Sequence, residues 1–201
     1  MISTTSTKGG FLIFVGPVTK VTFAPRSIAQ FAMALLLDIC HDVRLQDAYY
    51  KKIVDSGESV GSPGRGLRVQ SRQIELYEKT FGIIGLGRIG SIVAKKLMGS
   101  NMNVVAYDPY IGDDRFNQLG VKRCATLEEL LKQVDLITLH TPKTPETYGI
   151  IGEKELAMCK DGVRIVNAAR GGLVNEKALY DALVSGKVAA AALDVLDPEP
   201  N

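Results

Sequence analysis

The chain is predicted to be an α/β protein, a doubly wound parallel sheet of six strands with a long helix ahead of it. Three observations predict this. Short apolar runs alternate with helical patterns from Phe81 to Leu193. A glycine-rich turn, Gly85-Leu86-Gly87-Arg88-Ile89-Gly90, separates the first of these strands from a helix. The next strand, Val104 to Tyr107, ends on an acid, Asp108, 18 positions beyond Gly90. Alternation of this kind implies parallel strands joined by crossover helices.

The bulk properties bound the answer before any motif does. With 201 residues, 46% hydrophobic and 23% charged, the chain is long enough for one good core and reads as globular. A net charge of +2, from 24 basic and 22 acidic residues without a basic block, argues against nucleic acid or a membrane surface as partner. Cys40, Cys124 and Cys159 have no metal-ligand spacing, so free thiols and no metal site are expected. The apolar run Phe11 to Val15 is too short for a leader or a spanning helix, and a cytoplasmic protein is expected.

In chain order, residues 1–24 carry no chemistry, although Phe11 to Val15 can be a buried strand. Apolar residues at Ile28, Phe31, Ala32, Leu35, Leu36, Ile39, Cys40 and Val43 then mark one face of a helix over 27–43, about four and a half turns long. Ser27 with Gln30 fits a capping box. The apolar stripe needs a cover, either the rest of the chain or a second copy. Residues 51–71 hold four glycines and a proline and read as a loop. Strands follow at Phe81–Ile84, Val104–Tyr107, Val121–Cys124, Asp135–His140, Val163–Asn167 and Val188–Leu193. Between them, Thr126 with Glu129 caps one helix, Glu153 to Met158 is a weaker one, and Asn175 caps another that Gly186 stops.

The glycine turn has a chemistry. Gly85 permits the turn out of the strand, Gly87 lets the backbone approach a pyrophosphate, and Gly90 lets the helix pack on the strand. The N–H groups from about Arg88 onward face the phosphates, where the helix dipole favours negative charge. Asp108 would accept hydrogen bonds from the adenosine ribose and repel a 2′-phosphate. This is the Rossmann dinucleotide arrangement, with NAD favoured over NADP as cofactor.

Ligands of such a sheet lie across the carboxyl ends of the strands. There the sequence places His140-Thr141-Pro142, Ala168-Ala169-Arg170-Gly171-Gly172 and Asp194. Arg170, followed by two glycines, can take a carboxylate through two parallel hydrogen bonds, and its spacing also fits a strand-end salt bridge. Asp194 fits a cap or loop acid equally well, and on spacing alone Glu199 is a solvated loop residue.

These pieces together (KTFGIIGLGRIG, VVAYDPY, DLITLHTPKTPET, GVRIVNAARGGLVNEKAL and AALDVLDPEP) resemble the D-isomer-specific 2-hydroxyacid dehydrogenases, and within them the phosphoglycerate dehydrogenase-like branch. The resemblance runs from about Glu75 to Pro200. The helix RSIAQFAMALLLDICHDVR is similar to the family's lobe-joining dimer helix, with Gln30 in place of its Glu. The resemblance implies hydride transfer between NAD(H) and a 2-hydroxy or 2-oxo acid. It puts Arg88 and Ile89 at the pyrophosphate, Asp108 at the adenine ribose, and Thr141 and Pro142 near the adenosine. Ala168, Ala169 and Asp194 fall at the nicotinamide, and Arg170 at the cofactor and at the substrate's carboxylate and keto oxygen. Glu199 would hydrogen-bond a catalytic histidine of a P-H-x-G segment that these 201 residues lack. His140 and His41 match no catalytic position. The chain is thus expected to be a cofactor domain over 25–201 with its sheet at 80–194, residues 1–24 being a substrate-lobe remnant or disordered. It is expected to be inactive alone and to pair as a homodimer through 27–43. An alternative from the same resemblance is an NAD(H)-regulated interaction module like the C-terminal-binding-protein corepressors.

Overall fold

The six apolar stretches expected as strands all form, because each is buried on both faces or pairs with a neighbour that is. In the computed structural model, residues 2–6, 11–15, 24–57 and 73–199 are described. The elements are β1 (Ile2–Ser6), β2 (Phe11–Val15), α1 (Pro25–His41), α2 (Val43–Asp55), β3 (Thr80–Ile84), α3 (Arg88–Met98), β4 (Asn103–Tyr107) and α4 (Asp113–Leu119). Then come β5 (Lys122–Arg123), α5 (Leu127–Leu131), β6 (Leu136–Leu139), α6 (Glu153–Met158), β7 (Val163–Asn167), α7 (Glu176–Ser185) and β8 (Val188–Leu193).

The sheet order is β1-β2-β8-β7-β6-β3-β4-β5. From β3 the chain winds outward through β4 and β5, then returns to β6 on the other side of β3 and continues through β7 and β8. All these pairings are parallel. The direction of winding reverses between β3 and β6, which opens a crevice at their carboxyl ends.

Alternate strand residues feed two cores. Phe81, Ile83, Leu136, Val166, Ala190 and Ala192 face α1, α3 and α4. Ile84, Ile137, Leu139, Ile165, Ala191 and Leu193 face α5, α6 and α7. A sheet covered on both sides explains why β7 and β8 are buried throughout and read as continuous apolar runs.

Several boundaries differ from expectation, each for a local reason. The long helix starts at Pro25, with Ala24 as an N-cap whose carbonyl accepts the Ser27 N–H at 2.8 Å. Pro25 occupies the first helical position, where its missing N–H costs nothing, so no Ser27–Gln30 box forms. The helix ends at His41, because Asp42 turns left-handed at φ 50° and a second helix, α2, follows. That helix takes the first five residues of the expected 51–71 loop; residues 58–71 of it lie outside the described residues. The third strand shrinks to two residues, since only Lys122 and Arg123 pair with β4. Finally, β1 and β2 join the sheet: β2 runs parallel to the outer edge of β8, and β1 closes antiparallel on β2. An apolar strand satisfies the open N–H and C=O groups of that edge.

The helical stripe is covered by the chain itself. Ala29, Ala32, Leu35, Leu36, Ile39 and Cys40 are buried in the first core. Among the described residues, no helix is long and apolar enough to cross a membrane.

Candidate functional site

The glycine turn leaves β3 and enters α3 under tight backbone constraints. Gly85 stands at φ 92°, and a Cβ on it would lie 2.9 Å from the His140 carbonyl carbon and oxygen. A Cβ on Gly90 would sit 2.1 Å from the Gly85 carbonyl oxygen, so only glycine lets α3 close on the turn. Gly87 is different: a Cβ there would meet nothing within 4 Å. Gly90 is therefore required by packing, whereas Gly87 borders open space at the N-cap of α3. No side chain caps that end, so the N–H groups of Arg88, Ile89 and Gly90 have no intrahelical acceptor.

Asp108, at the end of β4, is 9% exposed. Its Oδ2 accepts the Leu86 N–H at 2.8 Å and its Oδ1 the Tyr110 N–H at 3.0 Å. The carboxylate thus stitches the glycine turn to the β4 end, a duty that spacing did not reveal. Each oxygen keeps a further lone pair for a ligand hydroxyl. Ser91 adds a second stitch, donating from Oγ to the Leu86 carbonyl at 2.9 Å.

Beyond β6, His140 and Thr141 press against the same turn. Among the described residues, the Thr141 Oγ1 and the His140 Nδ1 are buried and without a hydrogen-bond partner, while the His140 Nε2 lies 3.0 Å from the Thr138 Oγ1. Burial lowers the His140 pKa to about 4, so the ring is neutral at pH 7. Two orphaned polar atoms beside an open glycine N-cap are what a polar ligand would satisfy.

Past β7, Asn167 shapes the turn that carries Arg170. Its Oδ1 accepts the Ala169 N–H at 3.1 Å and its Nδ2 donates to the Arg170 carbonyl at 2.9 Å. Asn167 was missed as a site residue, although an asparagine closing an apolar strand is a turn signal. Arg170 is exposed, and its Nη1 donates to the Ala169 carbonyl at 2.7 Å. Among the described residues its guanidinium makes no ion pair, so the strand-end salt bridge does not form. Ala168 is buried and Ala169 half-buried beside it, and Pro142 is exposed past Thr141. Glu199 comes to the same turn, its Oε1 accepting the Gly171 N–H at 2.6 Å. Asp194 is joined through its backbone, donating from N to the Asn167 carbonyl at 2.9 Å, and burial raises the pKa of its side chain. All the expected site residues thus lie along one rim, at the carboxyl ends of β3, β4, β6, β7 and β8. His41 is elsewhere: its carbonyl accepts from Gln46 and Gln73 at the far end of α1.

A family profile described as D-isomer specific 2-hydroxyacid dehydrogenase, NAD binding domain, matches residues 35–201. The chain belongs to this family. It is 49% identical over 160 residues to a D-3-phosphoglycerate dehydrogenase of Archaeoglobus fulgidus, covering 80% of this chain and 30% of that protein. It is 44% identical over 185 residues to a hydroxypyruvate reductase of Blautia hydrogenotrophica, covering 92% and 55%. Among solved structures, a D-lactate dehydrogenase from Aquifex aeolicus complexed with NAD and lactic acid superposes with a TM-score of 0.74 at 34% identity, covering 88% of this chain and 50% of that one. The chain is thus an NAD-binding domain of the D-2-hydroxyacid dehydrogenase family, phosphoglycerate dehydrogenase-like, and NAD is the cofactor of that domain. It spans about a third of the length of the phosphoglycerate dehydrogenases it matches. The corepressor-like alternative finds no support in these relatives.

Proposed function

We propose that this domain serves an enzyme that moves hydride between NAD(H) and a small 2-hydroxy or 2-oxo acid, with the residues along the rim divided between cofactor and substrate. The observation that carries the reading is the contrast within the glycine turn: Gly90 is closed by backbone contact, while Gly87 faces open space at a free helix N-terminus. The residues fit the cofactor. The Gly85 N–H is taken by the Tyr107 carbonyl, so Gly85 would serve through its turn, while Gly87, Arg88, Ile89 and Gly90 would take the pyrophosphate through backbone N–H groups. Asp108 would hold the adenosine ribose, and Thr141 with Pro142 the adenosine side, where the Thr141 Oγ1 lacks a partner. Ala168, Ala169, Arg170 and Asp194 would border the nicotinamide. When bound, NAD(H) supplies the hydride donor or acceptor.

Arg170 is the residue for the substrate. An exposed guanidinium without an acid partner among the described residues can hold a carboxylate and polarise the adjacent keto oxygen. Glu199, an exposed carboxylate near that turn, would accept from an acid–base imidazole. Neither histidine of the chain fits that part: His140 is neutral and half-buried at the β6 end, with its Nδ1 buried, and His41 lies at the far end of α1.

The isolated 201-residue chain should therefore bind NADH and turn over little or none. NADH fluorescence that does not change on titration with the chain would refute the binding. NADH oxidation with hydroxypyruvate or phosphohydroxypyruvate at an ordinary enzyme rate would refute the inactivity. The second expected partner is another copy of the chain, through residues 27–43. Leu37 and Val43, 42% and 56% exposed, support that reading, and a monomer mass at sedimentation equilibrium would remove it.

A further inference from the structure

Three side chains outside the rim meet on one carboxylate. The Asp197 Oδ1 accepts from the Lys143 Nζ at 2.6 Å, and its Oδ2 accepts from the Tyr148 hydroxyl at 2.8 Å. The Lys143 ammonium also lies 5.2 Å from the centre of the Tyr148 ring, within cation–π range. Lys143 and Tyr148 belong to the loop after β6, and Asp197 to the loop after β8. These loops are 54 and 49 residues apart along the chain at the two contacts, so the cluster ties together segments that nothing local would join.

The ties continue to the turn that carries Arg170. A Cβ on Gly172 would lie 2.7 Å from the Tyr148 ring and 3.0 Å from the Lys143 Nζ. A Cβ on Gly171 would lie 2.1 Å from the Leu196 carbonyl oxygen. The two glycines after Arg170 are thus the places where the β6 loop and the β8 loop press on its turn. On the other side, the Asp197 N–H donates to the Glu176 Oε1 at 2.8 Å, and two residues past Asp197 the Glu199 carboxylate accepts the Gly171 N–H.

We propose that Lys143, Tyr148 and Asp197 form a latch that sets the 194–199 loop against the Ala168–Gly172 turn, and thereby position the nicotinamide end of the cofactor site. They are positioning residues: none is a rim group itself. A partly exposed ion pair adds little to global stability. It can still fix where a loop stands, and a displacement of about an ångström at such a site changes binding and rate strongly. The latch stays charged through the neutral range. Hydrogen bonds from Lys143, then Tyr148, hold the Asp197 carboxyl below the usual carboxylate range, and the bond to Asp197 holds Lys143 above the usual lysine range.

The inference rests on the cofactor reading above, and its test separates the two. The full chain and its Asp197→Asn, Lys143→Met, Tyr148→Phe and Lys143→Arg variants are titrated with NADH by fluorescence and with ADP-ribose, which lacks the nicotinamide. Thermal unfolding is followed in parallel. We expect Asp197→Asn and Lys143→Met to bind NADH about fivefold more weakly, the loss of roughly one hydrogen bond. Both should bind ADP-ribose as wild type does, with unchanged melting, and Lys143→Arg should restore NADH binding. If one variant fails to fold, Tyr148→Phe, which removes a single hydroxyl, carries the same expectation. Unchanged NADH affinity in folded variants, or an equal fall for both ligands, would overturn the latch. A wild-type chain that binds neither ligand would overturn the cofactor reading and the latch with it.

Discussion

His140 shows how one residue's surroundings decide its chemistry. It stands at a strand end in the crevice, where a histidine invites an acid–base assignment. Burial instead leaves it neutral, with a pKa of about 4 and an orphaned Nδ1. The unfolded chain takes up this proton near pH 6.5, the folded one only near 4, so acid favours the unfolded chain between those values. The stabilisation is whole above pH 6.5 and lost as pH falls toward 4, on the order of 3 kcal/mol for a shift of this size. Melting measured from pH 7.5 to 4.5 should fall less steeply for His140→Asn than for wild type. Parallel curves would show that His140 does not titrate across this range. The cysteines follow the same rule: burial pushes Cys40 up to about 12 and Cys124 and Cys159 up to about 11, so the thiols are packing residues.

At the scale of an element, the β3–α3 turn separates two requirements that its three glycines share in sequence. Gly90→Ala forces a methyl to within 2.1 Å of the Gly85 carbonyl, which backbone must move to relieve. That variant should lose about 3 kcal/mol of stability together with NADH binding. Gly87→Ala meets nothing within 4 Å at an ordinary φ of −69°, so it should melt as wild type does while losing NADH affinity at least tenfold. Denaturant unfolding and fluorescence titration of the pair check both halves. A Gly87→Ala protein that binds NADH normally would remove the pyrophosphate from this turn. The helix ends argue similarly from chemistry. Asn175 caps α7 through its Oδ1 on the Ala178 N–H at 2.9 Å, as its residue type announces. At α1, the proline rather than the serine decides where the helix begins.

For the whole molecule the question is what covers α1. Its inner face packs on the sheet and on α3, which leaves Leu36 2% exposed and Leu37 42% exposed. Leu36→Ala should therefore cost about 3 kcal/mol of folding stability. Leu37→Glu should leave stability nearly unchanged and, where the chain pairs through α1, shift sedimentation from dimer to monomer. Equal loss of stability in both variants would mean that the two faces are not distinguished as described. The same view bears on the amino-terminal strands: with β2 beside β8, the sheet gains a seventh parallel strand, and its edge moves to the antiparallel β1.

The six strands, their order along the chain and the glycine turn between β3 and α3 were legible in the sequence, because period, apolar runs and glycine spacing are local properties. So were the family and, through it, the cofactor. Helix limits were less legible, since Pro25 and Asp42 act through backbone angles that a hydrophobic stripe does not report. What only the tertiary structure decided are the meetings between distant segments. Asp108 stitches Leu86, Glu199 reaches Gly171, and Lys143 and Tyr148 converge on Asp197. These contacts join segments that follow different strands. Their partners become neighbours only once the sheet has placed its carboxyl ends side by side, and no local pattern in the chain encodes that.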